Sequence, residues 1–327
     1  MPPVRPSRLL SLIVVASVSS AVMAQVPTVE RWPTRALTFI TPSPAGGAVD
    51  LTARLTAERL AQRLGQAVVV DSRPGADGIL AAEAFLGAAD KDHTFIVTFG
   101  GLLISNPVTH DKLPYDAEKD FVPVSMLASD TLAICAATSL KANDLSQLVA
   151  TLHTDANAVR WSSVPGEPQL RFLGLMKQLG ERPLYVPYKA NSQAITDMVA
   201  GRIDLLLTPL AAVLPHVRTG RLKLLAVMSA ARSPIVPDVP SATESGFPVL
   251  AMSPFIGLFA RRGADPNVLA RLNQEVIGVF NEPDMRDKFI AAGLIPVASS
   301  AQQLRTTVAD KLQENRALAR DVGTLRQ

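Results

Sequence analysis

Residues able to do chemistry together are sparse along this chain. Its four histidines, His93, His110, His153 and His216, are widely spaced, and none falls in an H-x-x-x-H or H-E-x-x-H zinc pattern. No G-x-S-x-G nucleophile elbow, S-x-x-K pair, G-x-G-x-x-G turn or G-x-x-x-x-G-K phosphate loop occurs. The single cysteine, Cys135, excludes an intramolecular disulfide and any multi-cysteine metal site. These absences argue against an enzyme and against a metal or other cofactor, and they direct attention to binding. One stretch has the residues for it: Thr41-Pro42-Ser43-Pro44-Ala45-Gly46-Gly47-Ala48-Val49-Asp50. It ends a strand and opens a helix, whose first N–H groups have no intrahelical acceptor and carry partial positive charge. Gly46 and Gly47 let a ligand approach the backbone closely. Such a turn can take a carboxylate or other small anion without a basic side chain, with the Ser43 hydroxyl as a further donor. Asp50 lies in the first helical turn, where it can cap the helix, hold a bridging water or meet a ligand ammonium. The same glycines would equally serve a plain strand-to-helix turn.

The elements around this turn alternate. Residues 36–41 read as a strand, 49–64 as a helix stopped by Gly65, 67–70 as an apolar strand, 79–88 as a small-residue helix and 94–98 as a strand. That βαβαβ order predicts a doubly wound α/β sheet. A second unit follows, with strands at 159–163, 184–188, 203–207 and 222–228 and helices at 169–179, 194–200 and 210–219. After a proline-rich loop at 233–240 come a strand at 256–260 and amphipathic helices at 267–280 and 301–322.

The chain has 327 residues, 48% hydrophobic and 19% charged, which supplies a sizeable core and the length of two domains. With 32 Lys and Arg against 29 Asp and Glu, and no basic stripe, nothing points to nucleic acid. Residues 1–24 read as an export signal: Arg5 and Arg8, an apolar stretch from Leu9 to Val22, then Val22-Met23-Ala24 for cleavage before Gln25. Cleavage after Ala21 is the weaker option. The apolar stretch is shorter than a membrane span, and Cys135, in the run Leu132-Ala133-Ile134-Cys135-Ala136, is expected to be a buried thiol.

Five ordered blocks carry a resemblance. They are WPTRALTFITPSPAGGAVDLTARLTAERLAQRLGQAVVVDSRPGADG (32–78), NPVTHDKLPYDAEKDFVPVSML (106–127), VPYKANSQAITDMVAGRID (186–204), GRLKLLAVMSAARSPIVPDVPSATESGFP (220–248) and IGLFARRGADPNVLARLN (256–273). Over nearly the whole mature chain the sequence resembles the periplasmic substrate-binding receptors of tripartite tricarboxylate transporters, the Bug-type receptors. The resemblance implies two doubly wound α/β domains joined by a hinge of crossing strands, a type II periplasmic-binding-protein-like fold. Domain 1 would comprise 25–126 plus 256–327, and domain 2 would comprise 127–255. It implies a monomer that takes a small organic acid from the periplasm to membrane permease subunits.

In such receptors the first loop, here Ser43 to Asp50, contributes ligand contacts, and the loop after the third strand, here Phe99-Gly100-Gly101, faces the same cleft. The opposite wall would come from Ser162, Ser163, Val164, Pro165 and Gly166 and from Tyr188 and Lys189, with Asp204 anchoring that wall or its waters. Phe99, Tyr188 and Phe255 are candidates for packing on a ligand body. The second-domain loop departs from the usual S-x-G-x-G-S: Ser163-Val164-Pro165-Gly166-Glu167-Pro168 carries an acid that would repel an anion if it pointed inward, with Arg171 near enough to compensate or to bind the ligand. Two rival functions share this fold, a ligand-sensing adaptor for a membrane histidine kinase and a periplasmic enzyme acting on the bound acid.

Overall fold

A computed structural model describes Met1 and residues 32–323. The expected export signal and its cleavage point therefore lie outside the described residues, apart from Met1. In chain order the elements begin β1 (Leu37–Thr41), α1 (Ala48–Leu64), β2 (Val68–Ser72), α2 (Ile79–Leu86), β3 (Thr94–Phe99), α3 (Gly101–Ile104), α4 (Asn106–Thr109) and β4 (Phe121–Ser129). A second series follows: β5 (Leu132–Ala137), α5 (Leu145–Asp155), β6 (Arg160–Ser163), α6 (Glu167–Leu179), β7 (Leu184–Tyr185), α7 (Asn191–Val199), β8 (Leu205–Pro209), α8 (Leu210–Arg218) and β9 (Leu222–Val227). The chain closes with β10 (Phe255–Arg261), α9 (Pro266–Phe280), α10 (Pro283–Ala291), β11 (Ile295–Pro296) and α11 (Ala301–Val322).

These strands form two sheets, one ordered β11-β4-β10-β3-β1-β2 and the other β7-β6-β8-β5-β9. In each, three neighbouring strands run parallel and a fourth enters antiparallel: β10 beside β3, and β5 beside β8. Both faces of each sheet are covered, which is why its strands read as continuous apolar runs. Leu37 and Phe39 point into the core under α1 and α9, whereas Ile40 points into the core with Phe85, Leu102 and Leu304. In the second sheet Ile134 and Ala136 face one core and Cys135 and Ala137 the other. Cys135 is the expected buried thiol, and burial pushes its pKa up to about 12.

The sequence reading leaves β4, β5, β11, α3, α4, α5 and α10 unassigned. Pro123 interrupts the pattern of β4, as proline does in most strands, and β5 is alanine-rich, with little β propensity of its own. β7 is cut to two residues because Pro187 follows closely after Tyr185.

The chain passes from the first sheet to the second at Asp130-Thr131 and returns through 228–254 into β10. The two passages lie side by side: the Asp130 N–H donates to the Pro254 carbonyl at 3.2 Å, and the Ser129 hydroxyl reaches the same oxygen at 3.0 Å. α11 belongs to the first unit in sequence but also grips the second, where Glu314 meets Arg171 at 3.3 Å and Asp321 meets Lys177 at 3.2 Å.

Candidate ligand-binding site

A cavity of about 560 Å³ opens between the two sheets, at the carboxyl ends of their parallel strands, where open α/β sheets place ligands. Its first wall is built by the turns after β1, β2 and β3. The turn after β1 contributes Pro42, Ser43 and Pro44 and then the first residues of α1, Ala48 and Val49. Gly46 takes the left-handed conformation there, with φ of 81°, and a Cβ on Gly47 would stand 2.2 Å from the Ser43 hydroxyl, so only glycine leaves Ser43 in place. Among the described residues no acceptor reaches the amides of Ala48 and Val49. They are unpartnered donors at the positive end of a helix of 17 residues. Pro74 to Gly78, after β2, and Phe99, Gly100 and Gly101, after β3, complete this wall. Gly100 donates its N–H to the Phe255 carbonyl at 2.8 Å, and a Cβ on it would strike the Phe255 ring at 2.6 Å.

The opposite wall follows β6. Val164, Pro165 and Gly166 lead into Glu167 and Pro168 at the start of α6, whose Glu167 amide likewise finds no acceptor among the described residues. Gly166 has φ of 92°, and a Cβ there would lie 2.9 Å from Ser105 on the first wall, so the two units touch at this point. Glu167 does line the cavity, but its carboxylate is held by the Arg171 guanidinium at 2.8 Å, with the two side chains 4% and 11% exposed. Arg171 itself faces a neighbouring groove beneath α11 and supplies the compensation anticipated for Glu167. Lys189 and Asn191 close this side. The Asn191 carbonyl accepts from the Thr208 hydroxyl at 3.1 Å, which leaves its amide N–H groups for the cavity.

Several residues singled out in the sequence sit off these walls. Asp50 is fully buried beneath its loop, where its carboxylate accepts from the Gly46 N–H at 2.9 Å, from Arg54 Nε at 2.8 Å and from the Ser72 hydroxyl at 2.9 Å. Burial opposes its ionisation, but these hydrogen bonds, with Arg54 foremost, outweigh burial and hold the carboxyl below its ordinary pKa. Asp50 thus braces the turn, and its side chain does not line the cavity. Ala45, Gly46 and Gly47 shape that turn without lining the cavity. Ser162 is buried within β6, and the Ser163 hydroxyl donates to the Val164 carbonyl at 2.7 Å. Tyr188 turns to the outer surface and donates to Asp197 at 2.8 Å. Asp204 binds Arg160 through the backbone N–H at 2.8 Å and two guanidinium contacts at 2.9 Å. That pair lies at the amino ends of β6 and β8, the far end of the sheet from the cavity.

The sequence reading missed Asp77, Ser105, Asn106, Thr109, Asp130, Asn191, Pro209, Met252 and Pro254 on the walls. Asn106 donates to the Asp77 carbonyl at 3.0 Å and to Tyr115 at 3.1 Å, tying two wall segments together. Asp130, at the crossing, forms part of the floor. Its Oδ1 accepts the Thr131 N–H at 2.7 Å, and burial pushes its carboxyl up to about 7 against that bond. The acidic residue next to an apolar run was the available signal for Asp130, but nothing local tells which way it points.

Two α/β units facing each other across a ligand-sized cleft, with a helix N-terminus from each directed into it, define the class of cleft-type solute-binding receptors. The model of the tripartite tricarboxylate transporter family receptor matches residues 52–324, and the chain belongs to that family. Its members are substrate-binding receptors, not enzymes. The BugT protein of Bordetella pertussis is 30% identical over 97% of this chain and 98% of its own length. Among solved structures, R. palustris Rpa4515 with adipate is 26% identical with a TM-score of 0.82, over 90% of this chain and 100% of that one. MatC (Rpa3494) from Rhodopseudomonas palustris with bound malate is 28% identical with a TM-score of 0.77, over 88% and 99%. The fold and family expected from the sequence are therefore borne out.

Proposed function

We propose that the protein is exported to the periplasm, captures one small carboxylate-bearing solute in the cavity between its two units, and delivers it as a monomer to the permease subunits of a tripartite tricarboxylate-type transporter. The observation that carries this reading is the convergence of α1 and α6, from opposite units, on one cavity of about 560 Å³. A carboxylate there takes unpartnered N–H groups from both helices, and Lys189 adds a positive charge. Ser43, Pro44, Ala48, Val49, Phe99, Gly100, Gly101, Val164, Pro165, Gly166 and Lys189 are the contact residues in this reading. Ala45, Gly46, Gly47, Asp50, Ser162, Ser163 and Tyr188 lie in or beside the loops that carry them, and Asp204 fixes the opposite ends of β6 and β8. The adipate and malate named for the two solved relatives support the carboxylate class.

The division into domain 1 (25–126 plus 256–327) and domain 2 (127–255) belongs to the same proposal, with the hinge at the paired crossings around Asp130 and Pro254. A ligand that touches both walls binds the closed state better than the open one, and that difference drives closure. A micromolar Kd corresponds to about −8 kcal/mol, within reach of a few charge-assisted hydrogen bonds and a desolvated cleft.

Thermal unfolding of residues 25–327 against a panel of organic acids tests this, with the neutral amides of the same acids as controls. A ligand at about 100 times its Kd adds about 2.7 kcal/mol, a shift of a few degrees. A shift with an acid and none with its amide supports the reading. Shifts confined to solutes without a carboxylate overturn it.

A further inference from the structure

The charges on the cavity wall do not suit a simple polyanion. Three carboxylates line it, Asp77, Asp130 and Glu167, against one cationic side chain, Lys189. Glu167 is neutralised by Arg171, and Asp77 lies 3.5 Å from the His110 ring. Asp130 is different. Its Oδ1 takes the Thr131 N–H, and among the described residues no donor reaches Oδ2. Its backbone is fixed by Pro254, so the carboxylate stands at the crossing between the units, on the cavity floor. A partly buried carboxylate with a free oxygen is poorly solvated there and calls for a donor from the ligand.

We propose that Asp130 selects a ligand bearing a protonated nitrogen, so that the solute is zwitterionic, an amino acid or close analogue, and not a plain di- or tricarboxylate. This rests on the carboxylate-receptor reading above. The ligand carboxylate lies toward the amides of Ala48, Val49 and Glu167, and the nitrogen lies on Asp130 Oδ2. A dicarboxylate in the same place would bring its second anion against Asp130. The free Asn191 amide donors serve the carboxylate end equally in both cases, so they do not discriminate. Discrimination falls to Asp130.

The test is calorimetric titration of the purified protein with the standard amino acids, β-alanine and γ-aminobutyrate, each paired with the acid that lacks its nitrogen, such as aspartate with succinate and glutamate with glutarate. Amino-acid amides without a free carboxylate form a third arm. At about pH 8 the amino-bearing member of a binding pair is expected to bind at least about tenfold more tightly, a charge-assisted hydrogen bond's worth of discrimination. Asp130→Asn is expected to erase that preference, whereas Lys189→Met weakens both members of the pair alike. Lowering the pH to about 5.5 protonates Asp130 and weakens amino-acid binding by wild type, and this loss is absent in Asp130→Asn. Asp77, His110, Glu167 and Lys189 are present in both proteins, so their own titration cancels from the comparison.

Equal or tighter binding of the nitrogen-free acid overturns the proposal and leaves the carboxylate receptor standing. So does an unchanged preference in Asp130→Asn of native circular dichroism. Should that variant fail to fold, the paired titrations and pH dependence of wild type decide the matter alone. Binding of amino-acid amides as tightly as the amino acids supports the role of Asp130 and overturns the carboxylate reading instead. If no nitrogen-bearing solute binds, the proposal falls.

Discussion

Glu167 and Arg171 form the most enclosed ion pair beside the cavity, one turn apart on α6. Removing one partner from such a pair strands a buried charge, which costs far more than the pair contributes. Arg171→Met is therefore expected to lower stability in urea unfolding by about 3–5 kcal/mol, and Glu167→Gln added to it should restore most of the loss. Asp130 acts in the opposite sense. Its folded pKa of about 7 lies above the usual value near ~3.9, so between those two pH values the folded protein holds a proton that the unfolded chain releases. The resulting stability is complete below the lower value and is lost as pH rises through about 7. In ligand-free protein, the Tm of wild type minus that of Asp130→Asn should therefore fall steadily from about pH 4.5 to about pH 8 in calorimetry. A flat difference would show that Asp130 is solvated and ordinary.

The elements divide stability from binding along each sheet. Loops at the carboxyl ends of the parallel strands carry the cavity, whereas Asp204 and Arg160 sit at the amino ends of β8 and β6. Asp204→Ala leaves the Arg160 backbone N–H and guanidinium without their acceptor. It is expected to cost about 1–3 kcal/mol in denaturant unfolding while changing ligand affinity less than about twofold, since no part of that pair lines the cavity. A loss of affinity larger than the loss of stability would place Asp204 in the site after all. Helix starts differ as well, though a missing side-chain cap is not confined to the cleft, since α10 also lacks one. α9 and α11 are capped by Asp265 and Ser300 in the manner of ordinary amphipathic helices. α1 and α6 start without any side-chain cap, which leaves their amides to the cleft.

At the scale of the molecule, Gly166 of the second unit stands against Ser105 of the first, so in the proposed closure a side chain at this point would hold the two walls apart. Gly166→Ala would meet Ser105 at 2.9 Å and would strain a backbone at φ of 92°. Two effects are expected: about 1–3 kcal/mol of lost stability from the strain, and at least about tenfold weaker ligand binding from a cleft propped open. Ser105→Gly in the same chain should recover the binding and not the stability, because it relieves the contact and leaves the φ angle. Small-angle scattering of the ligand-saturated protein gives the direct measure: wild type should contract on binding and Gly166→Ala should not. Glu314 and Asp321 on α11 also tie the first unit to α6 of the second.

Most strands and the long helices, the glycine turn after β1, the buried Cys135 and the family were legible in the sequence. They rest on local signals: apolar periodicity, Gly46 and Gly47 before a helix, and five ordered blocks. The crossing strands β4 and β5 were not legible, because Pro123 and an alanine-rich run disguise strands that their neighbours in the sheet stabilise. The facing of side chains was legible least. Asp50, Tyr188 and Asp204 look like ligand contacts in the sequence, yet each finds partners within its own unit: Gly46, Arg54 and Ser72 for Asp50, Asp197 for Tyr188 and Arg160 for Asp204. Asp130, marked in the sequence only by its place beside an apolar run, is left with a free oxygen on the cavity floor. A sequence determines which groups are polar and where helices begin. Which polar group stays unpaired beside a cavity depends on contacts between segments distant along the chain, and the tertiary structure alone decides it.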